Sequence, residues 1–527
     1  MRVFANGKFI SCEDENRIFS ILVEENGRIA YTGDTLPDRY KTGNVIDLGG
    51  ACVTPCFGDT HLHFISTCFL PLDVRGCKNI PEVLAKISEY IKTDHEKVIQ
   101  GFGISAHTME EKRLPTRQEL DSVTDRPLAL GKYDGHAGIV NSALIALLPP
   151  ELQNHPQLNK ETGECYSDAF QLLCAHSAKM GYVTPKFIMN NIPRVMDMLA
   201  KKGINLILPV EGLEGDSSPY DLTVGVDGQT PIRVLPFFQT MDIKEAMAKE
   251  CRRVGGCFAS QLDGCFGAED AALREPYTSN PESSGWLLHS QETVNEFIKK
   301  ANRAGMHLAI HAIGDAAIEQ LIIAFEEALR DYPQKDHRHA IIHGDLFPKE
   351  YLERAGKLGL YCAVQTPFLT WPEEPLPYLV QVIGQRAYEK HPLPLMIDAG
   401  LTLANGSDNP SSQVDPIMGL YSSCNHPNPA YSVDIITALR MHTLNTAKFA
   451  FTEKDMGSLT VGKVADFVVF DRDLTETPRE QLLDVKITDV YYGGRQYQSG
   501  QFKIRQLPLL WSVIKGKLRY NRNIKKL

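Results

Sequence analysis

Between residues 55 and 450 the chain repeats one unit, an amphipathic helical stretch followed by a short apolar run that ends in polar groups. VNEFIKKANRAG closes on Gly305 and leads into MHLAIHAIG, and KEYLERAGKLG closes on Gly359 and leads into LYCAVQ. Glycine ends a helix because it takes the left-handed conformation without a Cβ clash. Asn79 to Thr93 has Pro81 near its start and Val83, Leu84, Ile87, Tyr90 and Ile91 on one helical face, and VIQGFG follows as a strand. Strands that alternate with helices predict a parallel sheet, because each parallel crossover needs a long, usually helical, connection.

The polar groups choose between parallel architectures. THLHF, LGKYDGH, LILPVEG, LAIHAIGD, AIIHGD, AVQ and LANGSD all place polar side chains at the ends of strand-like runs, and such ends share one rim in a barrel. No glycine-rich dinucleotide turn points to an open sheet. The expected fold class is therefore α/β, a (β/α)8 TIM-like barrel. FANGKFI, IFSILVEENGRIAYTG and NVIDLGGACVTP near the start, and GSLTVGKVADFVVFDRD and VKITDVYYGGRQYQSG near the end, read instead as short strands joined by turns. They predict a composite β-sandwich built from residues 1–54 and 451–505, flanking a barrel at 55–450. Residues 150–195 and 265–290 are expected rim insertions. The closing segment 506–527, containing LWSVIKGKLRYNRNIKKL, reads as a packing or solvated tail rather than an interaction tail.

Lys plus Arg number 55 against 65 Asp plus Glu, a formal charge of -10, which disfavours a general polyanion binder. The start lacks a signal-peptide core, and no apolar run reaches spanning length. The expected partners are a small-molecule substrate, with no nucleic acid and no membrane. A homo-oligomer is left open, and the expected location is cytoplasmic. The twelve cysteines form no CxxC pair and read as reduced, buried fillers. A thiol ligand from Cys52 or Cys56, which flank the first metal motif, or from Cys257 or Cys265 is the weaker option.

His61 and His63 stand two apart in a strand-like run, so both imidazoles project from one face, as two ligands on one ion would. Asp59 is placed to orient one of them. His311 and His343 each end an apolar run and are followed closely by Gly and Asp, and Asp408 closes LTLANGSDNP. The carboxylate could bind metal and take a proton from water. His136, in KYDGH, and Gln365, after LYCAV, are candidate substrate contacts.

LPTRQELD, DGHAGIVNSALI, IHAIGDAAI, GSDNPSSQVDP and GSLTVGKVADFVVFD, together with GDTHLHF, resemble the amidohydrolase superfamily and, more narrowly, its YtcJ-like or N-substituted formamide deformylase-like branch. The resemblance runs from about residue 4 to residue 498. It implies hydrolysis of an amide-type C–N bond with one or two divalent ions, zinc first among them. By motif position His61 and His63 would hold one ion and His311 and His343 a second, with Asp408 as general base. Relatives often carry a bridging lysine four residues before an Asp-Gly, and here that place is Ala259. Glu211 is the expected replacement. In a single-ion version His61, His63, His311 and Asp408 hold the metal and His343 polarises water or substrate. A deaminase or cyclic amidohydrolase acting on a ring, and a non-catalytic scaffold, are the alternative functions.

Overall fold

A computed structural model describes residues 1–527 except 71, 95, 134, 136, 167–168, 171, 174–175, 177–184, 213–216 and 527. Eight parallel strands run around its largest sheet: β1 (Phe57–Leu62), β2 (Ile204–Glu211), β3 (Phe237–Phe238, preceded by Arg233–Val234), β4 (Arg253–Gly256), β5 (His307–Ala312), β6 (Ala340–His343), β7 (Tyr361–Val364) and β8 (Thr402–Asn405). Pairing passes from each strand to the next in chain order. Across the last seam, Thr60 Oγ1 donates to Ala404 O at 3.3 Å and Asp408 N to His61 O at 2.7 Å. This is the expected TIM-like barrel.

Local sequence explains the elements. INLILPVE, the whole of β2, is buried, and its nearly unbroken apolar run suits a strand covered on both faces. The helix Gln291–Arg303 begins where Ser290 Oγ accepts the Thr293 N–H, and the chain turns out of it at Gly305, which takes φ +68°. β4 ends in Gly255 and Gly256, at φ +124° and +116°. A Cβ on Gly255 would stand 2.1 Å from Ala309 O, so only glycine lets β4 lie this close to β5.

One expectation about the rim is corrected. The run LGKYDGH does not belong to the barrel: Leu128–Lys132 lies in a separate five-stranded sheet with Leu72–Asp73, Ile99–Ile104, Ala137–Val140 and Glu164–Tyr166, inserted between β1 and β2. Its own core contains Val83, Ile87, Ile99, Leu128 and Ile139. Apolar periodicity reports that a strand is buried on a face, not which sheet it joins.

The two ends of the chain fold together as expected. Cys52–Pro55 pairs antiparallel with Phe467–Phe470 inside a six-stranded sheet, and a four-stranded sheet from residues 2–47 packs over it. Phe467 sits at the centre, fully buried, its ring 4.8 Å from Phe4 and 4.7 Å from Tyr491. The closing segment forms a helix, Gln506–Asn523, docked against helices Ser218–Val224 and Ile243–Ala248. Among the described residues no helix is long and apolar enough to cross a membrane.

Because Phe467 joins side chains from both ends of the chain, Phe467→Ala should cost about 3–5 kcal/mol. A urea denaturation midpoint monitored by tyrosine and tryptophan fluorescence should fall accordingly, and an unchanged midpoint would contradict this account of the core.

Candidate metal centre

The strand register delivers the key side chains to one level. Gly256 pairs with Ile310, so Cys257, the next residue, stands level with His311. His343, the last residue of β6, pairs with Ala312 beside His311. From the other side β1 brings His61, with His63 just beyond it, and the turn after β8 brings Asp408, whose N–H donates to His61 O.

These groups converge. His61 Nε2 and His63 Nε2 lie 3.1 and 3.2 Å from Asp408 Oδ1. Cys257 Sγ lies 3.5 Å from His61 Nε2 and 3.6 Å from His311 Nδ1. Three sets have ligand atoms within 4.8 Å of one another: His61, His63 and Cys257; Cys257, His311 and His343; and His61, His343 and Asp408. Their spacing accommodates a shared divalent ion as well as mutual hydrogen bonds. Asp408 Oδ1 is buried and has no hydrogen-bond partner among the described residues despite its two near imidazoles, and the Nδ1 atoms of His61 and His343 are likewise unpartnered. Ligands about 2.0–2.3 Å from one tetrahedral ion stand roughly 3.3–3.8 Å apart, close to the separations seen.

Electrostatics point the same way. Burial would raise the Cys257 thiol, but the His61 charge and hydrogen bonds from His311, His343 and His61 hold it well below its ordinary value. Burial likewise works against the Asp408 carboxylate, yet His61 and His63 keep it well below the usual range. His61 is lowered by burial and raised by Cys257 and Asp408, ending at about 9, and His63 ends at about 10 from the same opposing causes. Thiolate and carboxylate are thus buried together among imidazoles, an arrangement that a divalent cation satisfies without extra protons.

His311 is fixed from behind. Its Nε2 faces Gly264 O at 3.3 Å and Asp263 Oδ1 at 3.5 Å, leaving Nδ1 toward Cys257. Asp263 is fully buried and also accepts the N–H groups of Ile313, Gly314 and Ala272. Cys257 is held in turn by its N–H, which donates to Gln239 Oε1 at 3.0 Å. Under His343, His391 Nε2 lies 3.1 Å from the His343 carbonyl and 3.2 Å from Asp345.

The sequence candidates divide as follows. His61, His63, His311, His343 and Asp408 come together. Glu211 ends β2 as expected, but it is absent from the three sets: its Oε1 accepts the Ile65 N–H at 2.9 Å, capping the helix Phe64–Phe69, and burial raises it to about 8. Asp59, expected to orient an imidazole, accepts instead the backbone N–H groups of His61 and Ser407, tying β1 to the turn after β8. Gln365 is buried and folds its Nε2 back onto Ala363 O, while its Oε1 has no partner among the described residues. His136 lies outside the described residues. Ala259 sits in the short helix Phe258–Ser260, past the strand end.

Cys257 and Asp263 are the members that sequence reasoning left aside. The eleven described cysteines are free and ten are buried, so burial does not single out Cys257. Its position directly after the Gly-Gly end of β4 was the available signal.

Asp263→Ala would release three backbone donors and the rear contact of His311. It should lower metal affinity by about 10–100-fold, measured by competition with a chromophoric chelator, and should also lower the melting temperature.

The whole chain has relatives. It is 28% identical to YtcJ of Bacillus subtilis (strain 168), covering 93% of this chain and 98% of that one. It is 25% identical to the N-substituted formamide deformylase of Arthrobacter pascens, with 93% and 96% covered. The crystal structure of an uncharacterized metal-dependent hydrolase from Pyrococcus furiosus superposes with a TM-score of 0.70 at 26% identity, covering 90% of this chain and 100% of that one. The model of the amidohydrolase family matches residues 44–498, a stretch that begins in the N-terminal sheet, takes in the entire barrel and ends in the returning sheet, and the chain is therefore a member of that family.

Proposed function

We propose that the protein hydrolyses a C–N bond of the amide or formamide type with two divalent ions, which His61, His63, Cys257, His311, His343 and Asp408 would hold. The observation that carries the reading is that Cys257 alone belongs both to the set with His61 and His63 and to the set with His311 and His343. His61, His63 and Asp408 would complete one ion and His311 and His343 the other. Imidazole, carboxylate and thiolate together suit zinc. Cys257 would supply the anionic ligand expected of Glu211, whose Oε1 serves the helix that follows β1.

When bound, the ions would lower the pKa of water towards roughly 7 and polarise the scissile carbonyl. The chain's own residues do the rest. Asp408 Oδ1, unpartnered and between two imidazoles, is the atom that accepts the proton of the attacking water and returns it to the leaving nitrogen. Asp263 keeps His311 Nδ1 turned toward the site. A line of aromatic rings extends from His343: Phe368 at 6.3 Å, then Trp371 stacked on it at 4.5 Å, then the buried Tyr133 at 5.0 Å. Phe258, half exposed, stands 5.4 Å from His63. These rings favour a substrate with an apolar or aromatic substituent on the amide, and the name of the Arthrobacter relative supports an acyclic formamide over a ring.

Two outcomes are expected. Asp408→Asn should reduce kcat by at least about 100-fold, the scale of general acid–base catalysis, while retaining most of the metal by elemental analysis; near-normal turnover would remove Asp408 from the proton-transfer role. Zinc-loaded wild-type protein should carry two ions per chain, and cobalt-loaded protein should show a thiolate-to-cobalt absorption band that Cys257→Ala abolishes together with one ion. A single ion per chain in fully loaded wild-type protein would leave only the mononuclear arrangement.

A further inference from the structure

The helix Gln506–Asn523 has two apolar faces where a docked surface helix needs one. Its inner face is occupied: Leu509 and Gly516 are buried, and a Cβ on Gly516 would strike the Asp221 carboxylate of the helix beneath. Arg519 and Asn523 fasten the same side by reaching the carbonyls of Lys249 and Ala248. The outer face carries Leu507, Leu510, Trp511, Ile514 and Leu518, 80%, 42%, 52%, 47% and 59% exposed. At about 100° per residue these five fall within a stripe roughly 100° wide, opposite the buried side. Five large apolar side chains in one exposed stripe mark an interaction site.

Charge identifies what covers it. Lys515 and Arg522 border the stripe on one side and Lys517 on the other, and all three are exposed. Lys525 and Lys526 extend the positive end; Arg519 and Arg522 pair with Glu250 at 3.3 and 3.5 Å, whereas among the described residues Lys515, Lys517, Lys525 and Lys526 form no ion pair. After Asp489 the chain has nine Lys and Arg and no Asp or Glu, although the formal charge of the whole is -10. The local sign is therefore opposite to that of the molecule. A two-fold contact of this helix with its own copy would bring like charges together. An apolar stripe with tryptophan, flanked on both sides by cations, instead matches a bilayer interface bearing anionic headgroups.

We propose that this helix docks the protein onto an anionic membrane surface, lying in the interfacial plane with Trp511 and Ile514 inserted and the flanking lysines on the headgroups. The proposal replaces the expectation that no membrane is involved, and it is independent of the metal site. The full-length protein should sediment with phosphatidylcholine vesicles containing phosphatidylserine and should bind pure phosphatidylcholine vesicles at least ten-fold more weakly. Salt should weaken binding, since surface charge is screened over about 10 Å at 0.1 M. Trp511→Glu with Ile514→Glu should reduce binding at least ten-fold while the protein stays folded by circular dichroism, because the buried face of the helix, Leu509 and Gly516, is untouched. Lys515→Glu with Lys517→Glu should do the same by removing the charge attraction. Absence of sedimentation with anionic vesicles at low salt would overturn the proposal, as would binding that neither double variant alters. So would a dimer in light scattering that Trp511→Glu with Ile514→Glu converts to a monomer.

Discussion

The barrel rim is organised around a buried thiol and a buried carboxyl whose neighbours favour their charged forms. Cys257 and Asp408 are brought from opposite sides of the barrel into a cluster of four imidazoles, where burial opposes the charge of both. An isolated anion in such a place would cost several kcal/mol, so the surrounding backbone must hold a compensating positive charge there. Four separate features serve this end: the Gly255–Gly256 approach of β4 to β5, the Gln239 clamp on Cys257, the Asp263 contact behind His311, and the link from Asp408 N–H to His61 O across the seam. In a metal-dependent hydrolase of the amidohydrolase family, the ion itself supplies that charge.

Much of this was legible in the sequence. Each of His61, His311 and His343 lies in or at the end of an apolar run, and strand ends in a barrel share a rim, so position along the strand was enough to bring them together. Asp408 was legible through GSDNP, directly after the last barrel strand. Cys257 was harder to see, because a cysteine after an apolar run is usually a small filler and this chain has many that are. The Gly-Gly pair before it is the one local sign, and the register between β4 and β5, which sets Cys257 level with His311, separates it from the others. Glu211 was legible only in part: it ends a strand at the rim as expected, yet the contact of its Oε1 with the Ile65 N–H at the start of the helix after β1 depends on a long-range approach that local sequence does not carry. LGKYDGH was misplaced for a similar reason, since a local pattern carries no information about a long insertion.

The strain in the site follows from the same geometry. Phe258, His343 and Asp408 are non-glycine residues at φ +52°, +70° and +57°, and each such conformation costs about 1–3 kcal/mol. His343 is the last residue of β6 and Asp408 lies in the turn just past β8, so both left-handed steps fall where the chain leaves the barrel rim. Phe258 makes the same step directly after Cys257 and presents its ring beside His63 at the mouth. The cost is borne by the closed barrel beneath, whose parallel pairing fixes the strand ends before the turns begin. A glycine would relieve the strain at any of the three positions but would remove the ligand or the wall, so the rigidity of the strands is what allows chemistry-bearing side chains to occupy backbone conformations that favour glycine.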